Sequence, residues 1–197
     1  IPLYNSRDFI FEAIESVLRQ TYSNIEVIVF DDASTDGSYN AVVRKYSHDG
    51  RIRIFQNSTN LGASRTRLLG CNEATGDYIS FLDSDDYLAP QFLEIMLHIF
   101  NATNSDLVFS NFKHFNILSE IMDDRFSLKG KPISRIEYIN SLSSGKVIGS
   151  CCMRMYPKEI VKNVEPVDRL FSRGEDLVFN LDIINDIHNI YYVDLPL

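Results

Sequence analysis

Tryptophan does not occur in these 197 residues, and glycine (9), proline (6) and cysteine (3) are few. Each scarcity excludes something. Cys71, Cys151 and Cys152 are odd in number and two are adjacent, a poor framework for disulfides. They also lack the spacing of a zinc site, so they read as reduced thiols of a cytosolic protein. The stretch from Ile1 to Phe9 holds no glycine, so no glycine-rich loop opens the chain to grip phosphates. No apolar run approaches the roughly 18 residues of a membrane span, and no signal peptide is recognisable. Lysine and arginine (19) are outnumbered by aspartate and glutamate (27), a formal charge of −8. That balance argues against a nucleic-acid surface or a polybasic membrane patch, although a nucleotide can still bind locally through a metal ion. Internal repeats and low-complexity tracts are also lacking.

Apolar residues make up 45% of the chain, with 10 tyrosines and 13 phenylalanines, so a substantial core is available. The length suits one domain, or one domain with a subdomain. Ile1-Pro2-Leu3 reads as the tail of a strand, and Asp194-Leu195-Pro196-Leu197 has no closing element. Both termini are therefore expected to be truncated.

Local patterns divide the chain. Phe9, Ile10, Ala13, Ile14, Val17 and Leu18 form one helical face, which Asn5 or Ser6 can cap. Ile25 to Phe30 reads as a strand buried on both faces, as in a parallel sheet. Asp31 to Gly37 is a polar loop and Ser38 to Tyr46 a helix. Ile52 to Phe55 is a strand. Asn60-Leu61-Gly62 opens a helix that ends at Glu73 or Ala74, with Gly76 as its stop. Tyr78 to Leu82 is a buried strand, Pro90 starts a helix, and Leu107 to Ser110 is a further strand. The alternation predicts a doubly wound α/β layer, a mostly parallel Rossmann-like sheet with helices on both faces. Ligands bind such sheets beyond the carboxyl ends of the strands. The loops after Leu3, Phe30 and Leu82 would open there, which places a nucleotide-binding half at 1–110. Residues 111–197 are less regular. Asn116 to Lys131 is of mixed composition and reads as mobile. Ile136, Ile139 and Leu142 suggest a helix, Cys151 to Tyr156 a strand and Pro157 to Asn163 a short helix. Leu177, Leu181 and Ile184 suggest a last helix, and Asn189 to Val193 a terminal strand.

Four constellations can carry chemistry. Asp83, Asp85 and Asp86 follow the Tyr78 strand, and a period of two would send Asp83 and Asp85 the same way. Paired carboxylates repel unless a cation lies between them, and Mg²⁺ or Mn²⁺ takes carboxylate oxygens together with substrate phosphates; the plain alternative is a polar turn. Asp32, in Asp31-Asp32-Ala33-Ser34-Thr35-Asp36-Gly37, either begins a capped turn or accepts a hydrogen bond from a nucleobase or ribose. An EF-hand fails here, because its twelfth position would be Val43. Arg65 and Arg67 point to different faces of one helix, so one can be solvated while the other reaches a diphosphate. Glu175 and Asp176 open an apolar helix. They either complement its dipole or supply a general base. His48, His98, His114 and His188 have no partner spacing and read as structural.

In order, Ile1-Pro2-Leu3-Tyr4-Asn5, Gln20-Thr21-Tyr22, Glu26 and Asp32-x-Ser34-x-Asp36-Gly37 form one series. Asn60-Leu61-Gly62, Arg67, Gly70, Ala74-x-Gly76-x-Tyr78-Ile79 and Leu82-Asp83-Ser84-Asp85-Asp86 continue it, and Gly174-Glu175-Asp176 and Tyr192 to Leu197 also fit. This series resembles family 2 glycosyltransferases of the GT-A fold. The resemblance implies an inverting transfer from a nucleotide-sugar donor, a UDP-sugar, to an acceptor hydroxyl. It places the backbone of Pro2 and the ring of Tyr4 beside the base, and Asp32 on the uracil side. Arg67 comes near the diphosphate, Asp83 and Ser84 on the donor, Asp85 with Asp83 on a divalent metal, and Asp176 as base beside Glu175. Thr66-Arg67-Leu68 departs from the Ala-Arg-Asn common in the family, which removes one donor-side amide and leaves Arg65 as an extra cation. The acceptor would be a saccharide or lipid-linked molecule in cell-surface polysaccharide or glycolipid synthesis, built against 111–197. A cytoplasmic protein, peripheral to the membrane and able to form a homodimer, is compatible with this reading. The alternatives are a sugar-1-phosphate nucleotidyltransferase and a non-catalytic nucleotide-binding scaffold.

Overall fold

A computed structural model describes residues 1–116, 119–122, 130–167 and 174–197. Two sheets carry the chain. In the first, β1 (Pro2–Leu3), β2 (Val27–Asp31) and β3 (Ile52–Gln56) are parallel, with Leu3 opposite Asp31 and Asp31 opposite Gln56. Their connections are α1 (Ile10–Leu18) and α2 (Ser38–Tyr46), and α3 (Ala63–Glu73) leads on to β4 (Tyr78–Ser80). Next come α4 (Phe92–Thr103), β5 (Leu107–Asn111), and a hairpin of β6 (Lys113–Asn116) and β7 (Ser119–Met122). They are followed by β8 (Lys131–Ile133), α5 (Arg135–Ser143), β9 (Arg154–Pro157), α6 (Lys158–Val161), α7 (Glu175–Asp182) and β10 (Ile190–Pro196). The second sheet has the order β4-β9-β5-β10-β8. β5 and β10 are parallel, whereas β9 runs antiparallel to both β4 and β5, and β8 antiparallel to β10.

The α/β layering expected from the sequence is present, and the parallel order is broken by β9. That strand comes from the second half of the chain and separates β4 from β5. Local periodicity reveals a strand but not a partner some 75 residues away. The strand predicted over Tyr78 to Leu82 is correspondingly short. It ends at Ser80, with one further bridge from Phe81 to Cys152. The expected mobile stretch from Asn116 to Lys131 lies in part outside the described residues.

The core has two compartments, one on each face of the second sheet, and adjacent strand residues enter opposite ones, as a period of two requires. Val108, Met155 and Val193 join Ile10, Ile14, Val42 and Met96 on the side of α1, α2 and α4. Phe109, Tyr156 and Tyr192 join Leu68, Tyr138, Leu142 and Phe179 on the side of α3, α5 and α7. Each such apolar side chain contributes about 1.5–3 kcal/mol when fully buried. Two helical faces differ from expectation. Ile136 is 71% exposed, and α5 buries Tyr138, Ser141 and Leu142 instead. In α7 Leu181 is exposed, and Phe179 and Asn180 face inward.

The end of α3 and the start of α4 are held by side chains from elsewhere in the chain, whereas α1 begins on a local backbone carbonyl. Neither Asn5 nor Ser6 caps α1 through its side chain. Asn5 Oδ1 accepts from the Thr35 amide at 2.8 Å, and the carbonyl of Ser6 accepts the Phe9 and Ile10 amides. Gly76 is not a left-handed stop. α3 ends in the extended Ala74, and the Glu26 carboxylate accepts the amides of Thr75 and Gly76 at 2.5 and 2.8 Å. Gln20 donates to Ala89 O and accepts from the Leu93 amide, tying α1 to the start of α4.

A crevice of about 590 Å³ lies between the two sheets, with Ile28, Cys71, Ile79, Leu93, Leu97 and Met155 among its walls. Ile1 and Pro2 also border it.

Candidate active site

The carboxyl ends of β1, β2 and β4 converge with the start of α7, and dense hydrogen bonding holds the loops between them. After β1, Asn5 takes a left-handed conformation (φ 50°) and its amide donates to Ser34 Oγ at 3.0 Å. The Arg7 amide donates to Asp36 Oδ2 at 3.0 Å, so the first two loops are laced together. Pro2 pairs with Phe30 in the ladder, and Tyr4 follows β1 with 50% of its surface exposed. Ser84 is buried and donates to Ser6 Oγ at 2.8 Å, which joins the third loop to the first.

Asp31 and Asp32 are both buried at the end of β2. Asp31 Oδ2 accepts from the Ser34 amide and Gln56 Nε2, while Asp31 Oδ1 has no partner among the described residues. Asp32 Oδ1 accepts from the Leu61 amide at 2.7 Å and Asn57 Nδ2 at 2.9 Å, and Oδ2 accepts from the Gly62 amide at 2.8 Å. These bonds fix the entry to α3, where Gly62 has φ 89° and no side chain to strain it. A carboxylate offers about four acceptor sites, so three bonds leave Asp32 one lone pair for a ligand.

Past Phe81 the chain is no longer a strand, so the period of two does not carry into the acidic run. The Asp86 amide donates to Asp83 O at 3.2 Å and the chain turns. The turn brings together Asp83, Asp86 and the thiol of Cys152, whose ligand atoms all lie within 4.8 Å of one another. Asp85 is exposed in the same turn. Two carboxylates at this spacing suit a hard divalent ion. Cys152 does not strengthen that set. Burial, and then the negative charge of Asp83, push its thiol well above its ordinary pKa, so it stays neutral.

The centre of the arrangement is Arg67. Its side chain is 7% exposed; Nη2 donates to Asp83 Oδ1 at 2.7 Å and Nη1 to Asp176 Oδ1 at 2.6 Å. Burial alone would lower the pKa of this guanidinium, but Asp83 and Asp176 outweigh it and hold the group above its ordinary value. Asp176 Oδ2 accepts from the Cys151 amide at 3.1 Å. Among the described residues Arg67 Nε has no hydrogen-bond partner. The structure thus joins Asp83, Arg67 and Asp176. Glu175 opens α7 one residue before the bridge, and Arg65 is exposed on another face of α3, as the spacing of two predicted. Sequence reasoning missed Asp86 as the neighbour of Asp83, the Cys151 amide, and the contact of Arg67 with carboxylates. A turn-forming Asp-Ser-Asp-Asp run was the available signal for the first. A backbone donor gives none.

The model of the family described as "Glycosyl transferase family 2" matches residues 1–165. Glycosyltransferase GlyG of Streptococcus pneumoniae serotype 4 is 32% identical over 116 residues, 59% of this chain and 38% of its own length. The Escherichia coli protein WfaP is named a UDP-Glc:alpha-D-GlcNAc-diphosphoundecaprenol beta-1,3-glucosyltransferase. It is 38% identical over 112 residues, 57% of this chain and 44% of its own length. Among solved structures, residues 1–349 of Staphylococcus aureus TarS in complex with UDP superpose with a TM-score of 0.82 at 24% identity. That match covers 98% of this chain and 56% of that one. The mannosyltransferase PcManGT of Pyrobaculum calidifontis, in complex with GDP-Man and Mn²⁺, gives a TM-score of 0.68 at 19% identity, covering 99% and 53%. This chain therefore spans 38% and 44% of the two relatives' lengths, and 56% and 53% of the two solved chains.

Removing the guanidinium leaves two carboxylates facing one another. Breaking a buried pair in this way costs about 3–5 kcal/mol, and less where the partners reach water. Asp83 and Asp176 are 32% and 21% exposed, so Arg67→Met is expected to lose about 2–3 kcal/mol. Urea unfolding of the variant measures it, and a loss below about 0.5 kcal/mol would be that of an ordinary surface substitution.

Proposed function

The chain belongs to glycosyl transferase family 2, and we propose that its site transfers a sugar from a nucleoside diphosphate donor, a UDP-sugar, to an acceptor hydroxyl with inversion. One observation carries this reading. Arg67 ties a carboxylate of the β4 end loop, Asp83, to a carboxylate at the start of α7, Asp176, and so forms one site from two distant parts of the chain.

The donor occupies the loops after β1, β2 and β4. Tyr4 covers the base, the free lone pair of Asp32 takes a base N–H, and Pro2 and Ser84 shape the floor. Asp83, with Asp85 or Asp86, would hold a divalent ion, which when bound would supply positive charge against the phosphates of the leaving diphosphate. Arg67 keeps positive charge beneath the same carboxylates and holds the Asp176 carboxyl in place. Asp176 spends one lone pair on Arg67 and one on Cys151, and the remaining acceptor capacity takes the proton of the acceptor hydroxyl. The acceptor oxygen then bonds to the anomeric carbon as the bond to the diphosphate breaks, and the electron pair leaves with the phosphate. Attack opposite the leaving group inverts the centre.

The acceptor side is assigned to 111–197, and its ligand to a saccharide or lipid-linked molecule of cell-surface glycan synthesis. WfaP, whose name specifies a lipid diphosphate acceptor, supports that class. TarS and PcManGT, solved with UDP and with GDP-Man and Mn²⁺, support a sugar nucleotide with a metal. No helix among the described residues is long and apolar enough to cross a membrane.

Two experiments test the reading. Calorimetry with UDP and Mn²⁺ should show metal-dependent binding that Asp83→Ala abolishes. Asp85→Asn and Asp86→Asn then reveal which of the two completes the site; binding indifferent to all three substitutions would refute the metal assignment. Asp176→Asn keeps the shape and removes the basicity. It should bind UDP and Mn²⁺ nearly as the unsubstituted chain does, yet transfer sugar at least about a hundredfold more slowly. The product of the unsubstituted chain should have inverted anomeric configuration by NMR. Retention, or near-normal turnover by Asp176→Asn, removes Asp176 from this role; if Glu175→Gln alone stops transfer, the role passes to Glu175.

A further inference from the structure

Among the described residues, Arg154 is a buried cation without a counter-charge. It is 2% exposed, and no carboxylate among the described residues pairs with it. Arginine stays charged even when buried, so the positive charge must be met by dipoles. Nη2 donates to Ile148 O, Nη1 donates to Ser150 O and, at 3.2 Å, to Cys152 O, and Nε donates to Tyr138 Oη at 3.2 Å. The ring of Phe109 lies 5.7 Å from the guanidinium carbon. A buried cation with only neutral partners is costly to keep, so the shape it imposes is a reasonable place to look for its use.

Its carbonyl partners alternate: residues 148, 150 and 152. The Gly149 carbonyl and the Cys151 amide, which lie between them in sequence, meet α7 instead, and Ser150 O also accepts from Asn180 Nδ2 at 3.4 Å. There the Cys151 amide donates to Asp176 Oδ2 at 3.1 Å, and Gly149 O accepts from Asn180 Nδ2 at 2.9 Å. Asn180 is fully buried. The same Nδ2 donates to Asp176 O at 2.7 Å, one turn back along α7, while its Oδ1 accepts from Tyr138 and Tyr156 at 3.3 and 3.0 Å. Tyr138 thus joins the two clamps. Gly149 allows the close approach: a Cβ there would meet Leu177 Cβ at 3.0 Å and Leu177 Cα at 3.2 Å.

We propose that Arg154 and Asn180 are positioning residues for Asp176, holding the segment 148–152 as a rigid shelf from which the Cys151 amide orients the carboxylate. The proposal rests on the reading of Asp176 as base, and it adds residues that touch neither donor nor acceptor. Two readouts separate it from general stabilisation. The first needs no substrate. With ¹⁵N-cysteine labelling, exchange of the Cys151 amide should be at least about tenfold faster in Arg154→Met and in Asn180→Leu, with core amides of β2 unchanged. The second is kinetic. With a UDP-sugar that the chain turns over, kcat should fall at least about tenfold while the donor KM stays within about twofold. Arg154→Lys, which keeps the charge, should recover part of the loss.

Gly149→Ala removes no buried polar group and should act in the same direction by wedging the shelf away from Leu177, so it serves if the other variants do not fold. Unchanged Cys151 exchange in the folded variants overturns the proposal, as does a kcat that stays near that of the unsubstituted chain. A loss of kcat matched by the unfolded fraction overturns it too. If the unsubstituted chain turns over no sugar nucleotide, the transferase reading fails, and the exchange measurement alone decides whether the shelf holds Asp176.

Discussion

A guanidinium with two carboxylates is the constraint on which the site depends. Arg67 has almost no access to water, so its charge must be answered by protein groups, and Asp83 and Asp176 answer it at 2.7 and 2.6 Å. One comes from the turn after β4 and the other from the first turn of α7, 93 positions later. Neither carboxylate can move far without uncovering a buried charge, which is how a flexible acidic turn and a helix end become parts of one rigid arrangement. The interaction also sets local electrostatics. Asp176 faces a fixed positive charge whether or not a ligand is present.

Much of the first half was legible because its signals are local. The apolar stripe of α1, the bounds of α2 and the strand at Ile52 follow from periodicities of 3.6 and two, which a short window of sequence contains. The resemblance carried the carboxylates and Arg67 as site members. What could not be read was how they meet. Period-two reasoning paired Asp83 with Asp85, but the strand had already ended and the turn paired it with Asp86 instead. Arg67 was expected at a diphosphate and lies on two acids. In each case the sequence placed the residue in the site but did not show which protein groups it touches, because those come from turns and segments that local periodicity does not describe.

Other residues of the same motifs have structural work that sequence similarity cannot separate from chemistry. Glu26 ends α3, Gln20 joins α1 to α4, and Asn5 and Asp36 lace two loops. A pattern keeps such residues as faithfully as it keeps a base or a metal ligand. Asn180 gave the reverse signal. It is a polar residue on the inward face of α7 beside Phe179, and a buried amide between apolar neighbours is itself an indication of a network.

The insertion of β9 between β4 and β5 bears on how the molecule folds. Ile79 pairs with Tyr156 and Phe109 with Arg154, so the middle of the second sheet joins segments separated by 77 and 45 positions. Closing such loops precedes any reward from the contacts they make, which slows folding relative to a locally paired topology. On a ribosome, β4 and β5 emerge well before the strand that lies between them, each with an open edge. The chain cannot complete its second sheet by finishing 1–110 first. A cut at that boundary, natural as it looks from the sequence, would yield a first half with two strands lacking their shared neighbour, and a tendency to pair with other copies.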